Sequence, residues 1–398
     1  MLDVLSMVEQ DPNSRSRERR RQRRRRQVRV RRAVALAVLL LVAAAITLGA
    51  RAVGGGGESS KQAAQHSRTE QAAKPKPEQS VVPSEIRGVH VTMALASLPG
   101  KLNEYLALQG LNTIELDVKD ENGEVGFVPP SVPLARRTGA AKVYYKAKQV
   151  ARQVHARGDY LIGRVVTFED PVLSEQRPDL AIRTSDGALW RNNAGLGWTN
   201  PYDRRVWRYN VDLAVAAAQA GFDEIQFDYV RFPSDGDLSL IRYPGAHPQP
   251  MAWTIPAFVQ YAVKRLHPLG VRVSVDVFGL SATRDLGIGQ MPRRISRYVD
   301  AVYPMVYPSH YSPGEFNLPD PNAAPGETVS RSLLDFQTAL EGRQARLTPW
   351  LQDFSLGRTY TLDDVRAQIA AARLRQAHGF LLWNAEGLYN APALMPPA

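Results

Sequence analysis

The chain contains no cysteine. Disulfides, thiolate catalysis, cysteine metal ligands and a lipid-modified cysteine anchor are therefore excluded, and an exported form must rest on its core alone. A length of 398 residues is enough to build one. Histidine is scarce, with seven copies and no H-x-H or H-E-x-x-H pairing, so no metal site is expected. His90 and His310, near strand ends, read as individually satisfied side chains. No G-x-S-x-G turn exposes a nucleophilic serine, and the first strand runs into HVTMALASLPG where a glycine-rich phosphate loop would stand. No cofactor is expected. Net charge is also absent outside residues 15–32, because that segment holds twelve arginines and one glutamate, the same +11 as the whole chain. Nucleic acid is therefore not an expected partner of the folded part.

What is present begins with that arginine run. An independent nucleic-acid-binding arm is one use for it, but it abuts residues 33–50, eighteen uncharged residues rich in Ala, Val and Leu and closed by Arg51. As a helix this stretch extends roughly 27 Å, close to a bilayer core of about 30 Å. Arginines stay on the cytoplasmic side, so a single-pass anchor in the cell membrane is expected, with the C-terminal bulk extracytoplasmic. Secretion after signal cleavage is the competing reading. Against it, Ala50-Arg51-Ala52 is a poor cleavage site, and a signal peptide's apolar core is shorter, about 7–15 residues. GGGGESS and the Gln, Ala, Lys and Pro that follow have no hydrophobic period and read as a flexible stalk. The expected organisation is a basic cytoplasmic tail (1–32), a transmembrane signal anchor (33–53), a flexible linker (54–84), a folded domain (85–391) and a C-terminal tail (392–398).

Within the folded domain, apolar strand runs alternate with helical periods. Strands are expected at 87–92, 113–120, within 159–170, at 224–229 and 271–279, near 301, and from 346 and 379. Helices are expected at 144–157, 203–220 and 255–266, and near 292, 329 and 362. The strand runs are almost continuous in Val, Ile, Leu and Phe, as in a parallel sheet covered on both faces. Eight such strands alternating with helices over roughly 300 residues predict a (β/α)8 TIM barrel. A doubly wound open sheet is the competitor, disfavoured by the missing phosphate turn.

In such a barrel, polar residues at strand ends converge on one rim. The segment FDEIQFDYVRFP, residues 222–233, delivers Asp228 to a strand end with Tyr229 and Arg231 directly after it. Glycosidic bond cleavage needs two carboxyls, one to protonate the departing oxygen and one to attack the anomeric carbon or activate water. Asp276 lies on the next strand. Neighbouring strands are about 4.8 Å apart, so Asp228 and Asp276 are expected to face each other near a retaining separation of about 5.5 Å. They are the expected catalytic pair, Asp228 as nucleophile or base and Asp276 as proton donor, or with the two roles reversed. Asp117, Lys119, Glu169, Asp353 and Glu386, at other strand ends, are expected to bind substrate, as are Tyr229, Arg231 and His310. Trp350 and Trp383 are expected to offer flat apolar faces to a sugar, whereas Trp207 and Trp253 read as helix packing. For Asp228 the alternative is a loop cap or an ion-pair partner, for Asp276 a buried charge neutralised by a basic neighbour, and for the other acids a structural role.

Taken together, FDEIQFDYVRFPSDG, RGVHVT, VSVDVFG, DAVYPMVYPSHY and FLLWNA resemble a bacterial family of glycoside-hydrolase-like barrel domains of unknown function, over about residues 85 to 391. The fourth-strand segment is also similar to that of family 18 chitinases, but the terminal catalytic glutamate of those enzymes has no counterpart here, where Tyr229-Val230-Arg231 follows Asp228. The resemblance implies a glycoside hydrolase with an oligosaccharide or polysaccharide substrate; together with the expected anchor, which makes the membrane a second partner, this predicts action on a cell-surface or extracellular polysaccharide. A non-catalytic carbohydrate-binding barrel at the cell surface is the alternative.

Overall fold

The computed structural model describes residues 81–396. The basic tail, the anchor and most of the stalk lie outside the described residues, and among those described no helix is long and apolar enough to cross a membrane.

Among the described residues, nine strand segments build eight parallel staves: β1 (Ile86–Val91), β2 (Thr113–Lys119), β3 (Tyr160–Val166), β4 (Glu224–Asp228), β5 (Arg272–Phe278), β6 (Ala301–Val306), β7 (Arg346–Leu347), β8 (Trp350–Gln352) and β9 (Gly379–Trp383). Each pairs with the next around the ring, and β9 returns to β1, closing the sheet. The expected seventh strand is split. Both β7 and β8 pair with β6, and Thr348 and Pro349 interrupt them, since proline has no N–H to give the ladder. Closure also needs Gly379, whose φ is 103° and where a Cβ would lie 2.0 Å from the Ile86 carbonyl oxygen.

The longer helices, α1 (Ala147–His155), α2 (Arg204–Ala220), α3 (Met251–Leu266), α4 (Pro325–Ala339) and α5 (Leu362–Leu374), cover the outside of the ring. Asp203 caps α2 by accepting from the Arg205 N–H at 2.8 Å, and Gly221 at φ 106° stops it and turns the chain into β4. Thr361 and Asp364 form a reciprocal capping box on α5.

Strand alternation sorts the apolar residues into two bodies. One, including Val89, Ile114, Leu116, Val165, Phe227 and Val275, packs between sheet and helices. The other, smaller one fills the lumen with Ile86, Tyr160, Ile162, Ala301, Tyr303 and Leu381, and Val82 packs against it. The packed domain thus starts before residue 85. It also runs past 391: the turn Ala391–Leu394 buries Ala393 and Leu394, so the C-terminal tail expected from 392 is partly core. Trp207 is buried as expected, but Trp253 is 49% exposed, stacked 3.9 Å from the Arg294 guanidinium.

Candidate active site

Towards the carboxyl ends of the staves the lumen turns polar. On β2 the inward positions are Glu115 and Asp117, on β3 Arg164, on β4 Gln226 and Asp228, and on β5 Asp276, all buried. Parallel register sets Arg164 beside Asp117 on one side and Gln226 on the other.

Arg164 ties these groups together. Its Nε and Nη2 donate to Asp228 Oδ2 at 2.9 and 2.7 Å, and its Nη1 donates to Asp117 Oδ1 at 2.7 Å and reaches Glu121 Oε2 at 3.5 Å. Burial by itself would lower the guanidinium's pKa, but the carboxylates, Asp228 foremost, more than reverse this and raise it. His90 stacks on Trp383 with ring centroids 4.4 Å apart and hydrogen-bonds Glu115. Burial pulls this imidazole down, while Glu115 and Asp117 together push it higher than its ordinary value. It is a satisfied histidine, as read from its isolation in sequence.

Asp228 ends β4 because the chain turns abruptly after it. Tyr229 adopts φ 47°, a left-handed conformation that costs a non-glycine residue about 1–3 kcal/mol. The turn aims the Tyr229 N–H at Asp228 Oδ1, 2.6 Å away. Above Asp228 opens a cavity of about 620 Å³, floored by Asp228 and Arg164 and walled by Tyr307, Trp350, Trp383, Phe278, Ile288 and Arg231. Its size and aromatic lining suit a small ligand or a few sugar rings.

Of the expected site residues, Asp228, Tyr229, Arg231, His310, Trp350 and Trp383 line this cavity. His310 stands beside Tyr307, ring centroids 5.5 Å apart, and burial lowers its imidazole pKa. The others lie elsewhere. Asp117 is 2% exposed and engaged by Arg164 and the Met93 N–H. Lys119 turns out of the lumen where the β2–β3 register shifts, and is sealed against Asp170 Oδ2 and Asn210 Oδ1, each at 2.7 Å. It cannot reach a ligand. Asp353 clamps the C-terminal loop by accepting from the Asn390 side chain at 2.6 Å and backbone at 2.8 Å, and Glu386 is exposed away from the cavity. Glu169 stays near the rim. Its Oε2 accepts from Asn192 Nδ2 at 2.9 Å, and burial, with the charges of Asp235 and Asp228, pushes its carboxyl up to about 7 against the pull of Arg231.

Asp276 departs most from expectation. It does not face Asp228 across a sugar-sized opening; it is 1% exposed, beneath the cavity, with Oδ1 accepting from Trp350 Nε1 at 2.7 Å and Gln226 Nε2 at 2.6 Å. Inward parity put it in the lumen, one step beyond the Phe227–Val275 pair and so in register with Asp228, but Trp350 and Gln226 close over it. Burial, then the charges of Asp228 and Glu115, raise its pKa well above the ordinary aspartate value. The native state therefore keeps a proton that the unfolded chain releases above about pH 4. Stability contributed by the neutral carboxyl is full in acid and is lost as pH rises towards the native pKa, by up to about 1.4 kcal/mol per pH unit. Asp276→Asn keeps an acceptor for both donors and has no proton to lose. Urea denaturation at about pH 5 and about pH 8 is expected to show the variant gaining on the wild type at the higher pH. A constant gap would mean that Asp276 is ionised in the fold.

Sequence reading passed over Arg164 and Glu115. The usable signal for Arg164 is a charged residue at an inward position of the apolar run YLIGRVV.

Among solved structures, the chain is 34% identical to a hypothetical protein from Ruminiclostridium thermocellum ATCC 27405, with 48% of this chain and 97% of that one covered at a TM-score of 0.44. It shares its fold with the PgaB (BpsB) glycoside hydrolase domain from Bordetella bronchiseptica, at 15% identity, with 78% of this chain and 98% of that one covered and a TM-score of 0.54. No curated protein matches it. The family described as "Putative glycosyl hydrolase domain" matches residues 88–389, from the first stave to beyond the last, and the chain belongs to that family.

Proposed function

We propose that the barrel hydrolyses glycosidic bonds, with Asp228 as nucleophile or base and Glu169 as proton donor. One observation carries this: the strained turn after β4 presents a carboxylate, ion-paired to Arg164, on the floor of an aromatic-walled cavity. Asp228 Oδ2 takes both Arg164 bonds while Oδ1, among the described residues, accepts only the Tyr229 N–H, so Oδ1 is the oxygen with a lone pair open to attack the anomeric carbon or take a proton from water. The departing oxygen needs a proton, and Glu169 supports that role because its carboxyl is raised to about 7 and Asp228, Glu121, Arg231 and Asp235 all act on it electrostatically. The substrate in this reading is a cell-surface or extracellular polysaccharide, reached by a domain tethered outside the membrane through residues 33–50. The close pairing of Asp228 with Arg164 also favours a second reading, a barrel that binds glycans without cleaving them.

A glycan panel separates the two by turnover. Glu169→Gln is expected to cut kcat on natural oligosaccharides by about 10²–10⁴ and to change hydrolysis of aryl glycosides with acidic leaving groups little, since these depart unprotonated. Wild-type kcat should fall as pH rises through about 7, where Glu169 gives up its proton, and the variant should lack that limb. Equal losses on both substrate types would remove Glu169 from the role, and binding without turnover across the panel would leave the second reading.

A further inference from the structure

The cavity holds two guanidinium groups with opposite electrostatic circumstances. Arg164 is matched by Asp117, Asp228 and Glu121. Arg231 is 6% exposed and has no carboxylate within 4 Å among the described residues, although it lines the same cavity. Its Nη1 donates to the Phe232 carbonyl at 3.1 Å and Ser234 Oγ at 3.0 Å, and its Nε and Nη2 have no acceptor among the described residues. Its guanidinium carbon lies 4.9, 5.0 and 4.7 Å from the ring centroids of Trp198, Tyr229 and Phe278.

The nearby acids do not supply the missing anion. Asp228 is committed to Arg164, Asp235 accepts the Asn193 N–H at 3.2 Å, and Glu169 is held by Asn192. A buried, unpaired guanidinium is costly, and aromatic stacking offsets only part of that cost. The surrounding rings and the two Nη1 bonds hold the group in place, leaving the Nε–Nη2 edge as a two-donor fork. Such a fork matches the two oxygens of a carboxylate.

Resting on the reading of this cavity as a glycan site, we infer that Arg231 receives a carboxylate carried by the sugar bound beside Asp228, so that the substrate class is an acidic, uronate-type glycan. The ligand completes an ion pair that the protein leaves half made. A neutral sugar in the same place would leave the guanidinium buried and uncompensated, which sets the direction of selectivity.

The test compares three probes on the full-length chain by calorimetry: a uronic-acid oligosaccharide, its carboxyl-reduced neutral counterpart, and a phosphorylated sugar. The uronate is expected to bind at least about tenfold more tightly than the reduced counterpart, with a preference that shrinks as salt rises. Arg231→Met should abolish the preference by weakening the uronate without weakening the neutral probe, and Arg231→Lys should retain only part of it, because a point charge cannot grip both oxygens. Equal affinity for the uronate and its reduced form, equal weakening of both by Arg231→Met, or tighter binding of the phosphorylated sugar would each overturn the assignment. Should Arg231→Met fail to fold, the wild-type comparison and Arg231→Lys still decide it. Affinity is read without turnover, so uronate binding with no cleavage sinks only the hydrolase reading, and cleavage confined to neutral glycans sinks only this one.

Discussion

Asp228→Asn is expected to reduce turnover by on the order of 10⁴-fold, equivalent to about 5.4 kcal/mol of lost transition-state stabilisation. The substitution is nearly isosteric, and the amide oxygen can still accept the Tyr229 N–H that holds the turn. What disappears is the anionic oxygen able to attack a sugar carbon or deprotonate water. Arg164 keeps Asp117 and Glu121, so the fold loses much less than catalysis does. Steady-state kinetics beside a thermal melt separates the two effects. A variant that melts near the wild type and retains turnover within about tenfold would show that Asp228 is not the reacting group.

Removing the cation is expected to act on the fold instead. Arg164→Met should destabilise the domain by about 3–5 kcal/mol, because it strands Asp117 and Asp228 at 2% and 5% exposure with Glu115 close by. Methionine replaces the apolar stem but not the four donated contacts. Orphaned carboxylates can escape their burial by taking up protons, so the deficit should shrink in acid, opposite to the behaviour of a simple packing defect. Asp228→Asn placed on the Arg164→Met background should recover part of the loss, since the two positions share one interaction. Urea titrations of the four proteins in this cycle measure it, and a single-variant loss under about 1 kcal/mol would show that the clamp is not structural.

These two residues mark the boundary between what sequence patterns reveal and what they conceal. Asp228 was legible because an apolar β-branched run ends on it and a turn follows, which is how a barrel strand presents an acid. Arg164 was not, because inside YLIGRVV it looks like an isolated charge, and its partners come from β2 and β4. Lys119 and Asp117 look equivalent in TIELDVKD, yet a register shift between them turns one into the lumen and the other against Asn210. Asp353 and Glu386 follow their strands as rim residues should, but Asp353 was captured by Asn390, a contact between segments 37 residues apart. Asp276 has the inward parity of a catalytic acid, and only the stacking of lumen layers shows that Trp350 and Gln226 close it off.

Periodicity, glycine stops and the caps at Asp203 and Gly221 are local properties of the chain, so the order of strands and helices, the closed barrel and the placing of Asp228 could be read directly from residues 85–391. Which charges meet, which stay unmatched and how deep each sits depend on shear and register between staves distant in sequence. The fold alone therefore decided that Arg164 is saturated, that Asp276 is sealed and that Arg231 lines the cavity with its Nε and Nη2 donors open, because charge compensation is a property of three-dimensional neighbours.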